Sequence, residues 1–463
     1  MNKSITTAVL AALGQLALSY PVWGAGFALI ENSASGLGSA YAGAAALGED
    51  PSTVWFNPAA MNLLADQQVA VVLHAIKPTA SYTDEGSYVN PKLTGGVVPY
   101  SLTGSNDTTS TLGIVPNLYY VVPFQERWRF GLGINVPFGL ETSYDDDWVG
   151  RYHALNSKIE TININPALSW EASNNLSLGF GVNIQYLKAE LSRKIDSSYV
   201  CLGIAGTDPT LRAECVSSGL YIPSNAATDS AGKVNADNWA MGYNLGLLYR
   251  FNESARIGLT YRSEISHSVD GDGEFDVYPA LREFLDRPDV GLNTLFTDSG
   301  VSAEADLPAS ASLSGVFSVN DQLSLLADIT WTGWSSFPEL RYVYDNPVQP
   351  DSVTEESWED SMRYSLGLNY REGPRIWRMG VAYDETPIPD PQHRTPRIPG
   401  NDRTWLALGV GLPVTETIWL DLGYAHLFVD DMAIDHADQA GYTLSGIYEA
   451  DVDILSIQAT MKL

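Results

Sequence analysis

Six histidines, two cysteines and a set of carboxylate clusters are the groups in this chain that could do chemistry, so their spacing comes first. His74, His153, His267, His393, His426 and His436 are scattered, and none stands in a nucleophile-elbow or zinc-ligand spacing. They read as loop or rim residues, and the chain is not expected to be an enzyme or to carry a metal or cofactor. Cys201 and Cys215 are the only cysteines and lie close together in a stretch containing Gly and Ser. In an oxidising compartment they would pair and staple one loop, contributing roughly 3 kcal/mol on the chain-entropy account. A metal or redox role would need more ligands or a tighter spacing. Asp145-Asp146-Asp147, the trio Asp270, Asp272 and Glu274, Glu355-Glu356 with Glu359-Asp360, and Asp430-Asp431 are acidic runs. They read as a solvated extracellular face, with divalent cations bridging these loops to lipopolysaccharide as the alternative.

The elements that carry these groups repeat one pattern. Leu176, Leu178, Phe180, Val182, Ile184 and Tyr186 alternate with Ser177, Gly179, Gly181, Asn183 and Gln185. Trp239, Met241, Tyr243, Leu245, Leu247 and Tyr249 alternate with Ala240, Gly242, Asn244 and Gly246. Such period-two rows are strands, and a continuous apolar, aromatic-rich row repeated along the whole chain points to a face that meets lipid. About fourteen such segments can be counted, the first near 66–76, the last near 450–463, with others at 175–191, 238–251 and 254–266. Short turns such as 172–174 and 252–253 alternate with long connections such as 77–111, 192–237, 267–303 and 428–449. An even-stranded transmembrane barrel with both termini on the short-turn side has that arithmetic.

The N-terminus sets the compartment. Lys3 is followed by a largely apolar stretch from Ile5 to Leu18, and Val22 and Gly24 are small residues at the −3 and −1 positions of a cleavage site. Residues 1–24 therefore read as an export signal, 25–64 as a Gly-, Ala- and Ser-rich segment outside the strand pattern, and 65–463 as the barrel. The segment 25–64 is either a tail or a plug in the lumen. No later run is apolar enough for a spanning helix, and a closed barrel is the other way to satisfy a backbone in lipid. With 55 Asp and Glu against 26 Lys and Arg, the net charge of −29 argues against nucleic acid as a partner. In the third segment, 130-FGLGINVPFGL-140, Pro137 and the glycines mark either a break in the barrel wall or the end of the strand at Val136.

Several ordered motifs then show a resemblance. Ala25-Gly26-Phe27-x-Leu29, Ser35-Gly36-Leu37-Gly38, Ala40-Tyr41-x-Gly43 and Asn57-Pro58-Ala59 resemble the start of the FadL-type long-chain fatty acid transporters. Val115-Pro116-Asn117, Gly139-Leu140-x-Thr142, Leu259 to Glu264 and the stretch 380–409 extend the likeness over essentially the whole chain after the signal. The resemblance implies a fourteen-stranded barrel whose N-terminal segment is a hatch, with Phe27 and the turn Asn57, Pro58 and Ala59 belonging to it. It implies an inward kink at Pro137, Phe138 and Gly139 that opens a side portal. It further implies passive uptake of a hydrophobic ligand, caught at the long loops, bound in the lumen with Phe27 among its contacts, and released sideways. Basic residues of the binding site map to Arg193 and Arg341. Alternation puts position 193 on the inward row, but puts 341 outward unless a bulge at Gly333 or Pro338 intervenes. Outer-membrane lipid and lipopolysaccharide would surround a chain expected to act as a monomer. Related members of the family carry alkanes or aromatic hydrocarbons, so a neutral cargo is the alternative; a general diffusion porin or an outer-membrane hydrolase is more remote.

Overall fold

The computed structural model describes residues 26–90 and 100–463. The export signal expected over 1–24 lies outside the described residues. Fourteen antiparallel strands form the wall. They are β1 (Gln68–Asp84), β2 (Gly113–Gln125), β3 in two pieces (Trp128–Asn135 and Gly139–Ser143), β4 (Asn156–Ser173) and β5 (Leu176–Ile195). β6 (Ser230–Arg250), β7 (Ala255–Arg262 and Ile265–Asp276), β8 (Ser299–Leu307 and Ser310–Ser318) and β9 (Leu323–Thr332) follow. β10 (Ser361–Glu372), β11 (Arg375–Asp384), β12 (Arg403–Pro413), β13 (Ile418–Val429) and β14 (Tyr442–Lys462) complete the set. Each pairs with its sequence neighbour, and β1 closes on β14 from Gln68↔Lys462 to Asp84↔Gly446. A closed ladder leaves no edge, which is what lets this backbone sit in hydrocarbon.

The side chains divide as the alternation requires. Trp239, Met241, Tyr243 and Leu245 are exposed on the outside of β6, while Asn244 and Leu248 are buried toward the lumen. No helix among the described residues is long and apolar enough to cross a membrane.

Several strands run well past the lipid-facing rows. β5, β6 and β14 are 20, 21 and 21 residues long, where about ten suffice to cross a bilayer. This corrects the loop placement of Asp270, Asp272 and Glu274, which are the outward row of β7 beyond its apolar part. It also corrects Glu356, which is not solvated but 1% exposed. Asp145, Asp146, Asp147, Asp430 and Asp431 are exposed loop residues. Over the loop end, α-helices Ser197–Ala205 and Pro209–Ser217 are joined by the Cys201–Cys215 disulfide. They pack against the helix Pro279–Leu285 through Leu202, Leu281, Phe284 and Leu285.

The N-terminal segment fills the lumen. It comprises α1 (Ala34–Gly38), α2 (Ala44–Leu47), α3 (Thr53–Phe56) and a 3-10 turn, Pro58–Leu63. Four-residue helices do not stand alone in water, so the wall supplies their partners. Arg256 on β7 donates to the Ala46 and Leu47 carbonyls at the C-terminus of α2 (2.7 and 3.0 Å), where cations are favoured. Asn57 donates to Ala45 O within the segment and to Leu247 O on β6 (2.6 and 3.0 Å). Its Oδ1 accepts from Ala59 N–H, which caps the turn started by Pro58.

Candidate functional site

The wall is interrupted at one place in its third strand. Backbone pairing between β2 and β3 stops at Leu118↔Ile134, and the upper piece, Gly139–Ser143, pairs only with β4. Pro137 has no N–H to give, and the strand stops at Asn135 and resumes at Gly139. Side chains serve the orphaned backbone groups. Val136 N–H donates to Asn117 Oδ1 at 3.3 Å, while Thr161 Oγ1 accepts from Phe138 N–H and donates to Phe138 O (3.0 and 2.7 Å).

The start of the hatch lies across this gap. Ala28 makes an antiparallel bridge with Phe138. Leu29 N–H donates to Pro137 O at 2.8 Å, and Gly139 N–H donates to Phe27 O at 2.9 Å. On the other side, Asn117 of β2 donates to Glu31 O at 3.1 Å. Residues 27–31 thus stand in for the missing rungs between β2 and β3. The Phe27 ring is fixed by Trp334, Phe337, Phe138 and Trp358, with centroids 4.9 to 5.9 Å away.

Two cavities flank the gap and the loop end. The outer one, about 500 Å³, lies under the loops and is walled by Tyr199, Ile204, Phe296, Tyr342 and Tyr442, with Arg193, Arg397, His153, His436 and Asp438 among its polar groups. Arg193 stands on the inward row of β5 and makes no side-chain hydrogen bond or ion pair among the described residues. Arg397 is held by Ser157 Oγ and His153 O (2.9 and 2.8 Å) and is 5% exposed. Burial, with the two arginines and the second imidazole nearby, holds His153 well below the usual histidine range; burial lowers His436 as well. Both imidazoles are therefore neutral at pH 7, and the guanidiniums carry the positive charge. Burial raises the Asp438 carboxyl against the pull of Arg193.

Arg341 is not part of this cavity. Its guanidinium is 45% exposed and paired with Glu339 and Asp351 (2.6 and 3.3 Å) on the outer row of the strand Glu339–Tyr344, which forms a hairpin with Ser352–Glu355. The 3-10 turn Trp334–Ser336 interrupts the strand but restores the same parity, so the bulge that would have turned Arg341 inward does not do so. Its neighbour Tyr342 is the residue that points in. The second cation of the cavity is Arg397. It lies in the irregular stretch 385–402, where alternation gives no direction, so parity could not have found it.

The inner cavity, about 160 Å³, lies between the hatch and the gap, bounded by Leu29, Ile30, Phe56, Pro137, Phe138 and Trp334, with Glu31, Arg262, Asp328, Arg363 and Asp384 also facing it. Arg363 was legible as an inward residue, since Met362, Tyr364 and Leu366 alternate outward.

A closed barrel with an apolar outer face, a filled lumen and a gap in its wall defines an outer-membrane transport protein. The chain belongs to the OMPP1/FadL/TodX family of outer membrane transport proteins, whose family model matches residues 15–463. It is 28% identical over 436 residues to the Long-chain fatty acid transport protein of Escherichia coli O6:H1, covering 92% of each chain. Outer membrane protein P1 of Haemophilus influenzae is 30% identical over 425 residues, covering 87% of this chain and 86% of its own. The crystal structure of a Pseudomonas aeruginosa FadL homologue superposes with a TM-score of 0.83 at 27% identity, covering 95% of this chain and all of that one.

Proposed function

We propose that this barrel takes up long-chain fatty acids passively across the outer membrane. The ligand enters at the long loops, which face outward, and binds in the outer cavity with its carboxylate on Arg193 and Arg397. It then leaves sideways between β2 and β3 once residues 27–31 shift, with Phe27 in contact on the way. Residues 1–24 serve as the export signal, and the barrel acts as a monomer among lipid and lipopolysaccharide.

One observation carries this reading: the half-buried Arg193 guanidinium makes no side-chain hydrogen bond or ion pair among the described residues and stands in a cavity of about 500 Å³ with aromatic walls, where Asp438 acts on it only at longer range. A desolvated cation without a hydrogen-bonded partner is costly, and an incoming carboxylate would relieve it. The alkyl chain adds about 0.8 kcal/mol for each CH₂ removed from water. The name of the Escherichia coli relative supports the same cargo.

The test is equilibrium binding of oleate and of its methyl ester to the purified barrel. Oleate should bind more tightly, and Arg193→Ala should weaken oleate by roughly 2 kcal/mol, about thirtyfold, while leaving the ester unchanged. Equal affinities that ignore the substitution would exclude a carboxylate cargo and point to a neutral hydrocarbon.

A further inference from the structure

The inner cavity contains charges that the reading above does not use. Arg363, on the inward row of β10, is 5% exposed. Its guanidinium lies over the Trp405 ring at 4.9 Å, and of its nitrogens only Nη2 makes a hydrogen bond, donating to Ala40 O at 2.9 Å; Nε and Nη1 are buried with none. Glu31, in the hatch, is 1% exposed, and its Oε2 is likewise buried without a hydrogen bond. Burial raises the Glu31 carboxyl to about 7, with Arg403 and Arg363 pulling the other way. The other charged groups here are better satisfied. Asp328 accepts from Ser312, Ser314 and Thr330, and Asp384 accepts from Arg403 at 2.7 Å. Arg262 stacks 3.4 Å above Trp55 and donates to Trp55 O and Asn183 Oδ1.

Arg262 and Arg363 line the cavity with Glu31, Asp328 and Asp384, and Arg403 pairs with Asp384 from outside the lining. With Glu31 ionised, three guanidiniums stand against three carboxylates. A second free carboxylate entering this space would have to displace Glu31 or leave one negative charge buried in excess, which is costly in a low-dielectric site. Glu31 is also tied to the gap, since its own carbonyl accepts from Asn117 of β2 and Leu29, two residues earlier, donates to Pro137 O of β3.

We propose that Arg363, which shares the inner cavity with Glu31, is a second carboxylate-binding site, and that an alkyl carboxylate arriving from the outer cavity takes the place of the Glu31 charge there. The exchange removes the electrostatic anchor of residues 27–31 and so frees the strand that spans the gap. Cargo charge and hatch release are then coupled at one guanidinium. The proposal rests on the fatty-acid reading and adds an inner site and a trigger to it.

Disulfide trapping tests it. Ala28 and Phe138 face each other in an antiparallel bridge, so Ala28→Cys with Phe138→Cys should cross-link readily in the full-length barrel under mild oxidation. Oleate should slow the cross-linking by about tenfold, the equivalent of one charge-assisted hydrogen bond, and methyl oleate should leave it unchanged. Glu31→Gln should slow it without any ligand. The comparison of acid with ester uses the same double-cysteine protein, so it holds even if Glu31→Gln folds poorly. If oleate binds the outer cavity but cross-linking is unaffected, or the ester slows it equally, the exchange is overturned while uptake stands. If oleate does not bind at all, both fall.

Discussion

At the residue scale the outer cavity's charge is set by burial. His153 and His436, rings 5.5 Å apart, stay neutral because a buried imidazolium beside Arg193 and Arg397 would be unpaired. Asp196, in the cavity lining, is raised by burial to about 6. Glu356 lies beside Arg397, behind that lining, and burial raises its carboxyl to about 8 despite the opposing pull of Arg397. Below that pH it is neutral and leaves the Arg397 charge available. Above it, the carboxylate forms beside Arg397 and competes for that charge. Oleate affinity should therefore fall as pH rises through about 8, and methyl oleate affinity should not. Titration calorimetry on both sides of that pH checks this, with Glu356→Gln expected to flatten the oleate profile. An oleate profile that stays flat in the unsubstituted protein would remove Glu356 from the account. Arg193 was legible because it extends an unbroken alternation, whereas Arg397 and Glu356 lie in loops, where burial depends on contacts distant in sequence.

At the element scale, the small residues of the inward rows have a use that alternation alone does not reveal. A side chain on Gly258 of β7 would overlap the Ala45 carbonyl, and one on Gly380 of β11 would overlap Ser39. These glycines let the hatch backbone lie directly on the wall. Gly258→Val should therefore lower the thermal midpoint of the barrel, read by heat-modified gel mobility, through overpacking of about 2 kcal/mol. Gly315→Ala, where the added carbon meets nothing within 4 Å, should leave it unchanged. Equal effects would mean that hatch contact is not what these positions serve. All fourteen strands were legible, because lipid-facing rows write alternation into the sequence. Their outer ends were not: β6 begins at Ser230 rather than near 238, β7 runs on to Asp276 rather than 266, and β14 begins at Tyr442 rather than near 450. Beyond the lipid the outward row turns charged while Val234, Ala236 and Val269 face inward, so Lys233, Asp237, Asp270 and Asp272 reverse the apolar-out pattern that marks a lipid-facing strand. The hatch was ambiguous for a related reason, since its short helices take their partners from the wall.

At the scale of the whole molecule, residues 26–64 occupy the lumen of the fourteen-stranded wall and are pinned to many strands. Arg378 of β11 pairs with Glu49 of the hatch at 3.1 Å and with Asp421 of β13 at 2.6 Å. Asn62 donates to Ser169 of β4 at 2.7 Å, and Ala34 N–H donates to Gln458 of β14 at 3.0 Å. Contacts spread around the circumference imply that the plug does not swing out as a body, since that would break all of them together. On the proposed sideways route only residues 27–31 need move, since these five residues span the gap. Two preparations in planar bilayers distinguish these motions. The intact chain should show no sustained ion conductance, with or without oleate, because local release of 27–31 opens the wall toward lipid and leaves the rest of the lumen filled. A chain lacking residues 26–64 should conduct in steps if its barrel assembles, because the plug and not the wall blocks the axis. Oleate-induced conductance through the intact chain would show that the whole hatch leaves, and would replace the lateral route with an axial one.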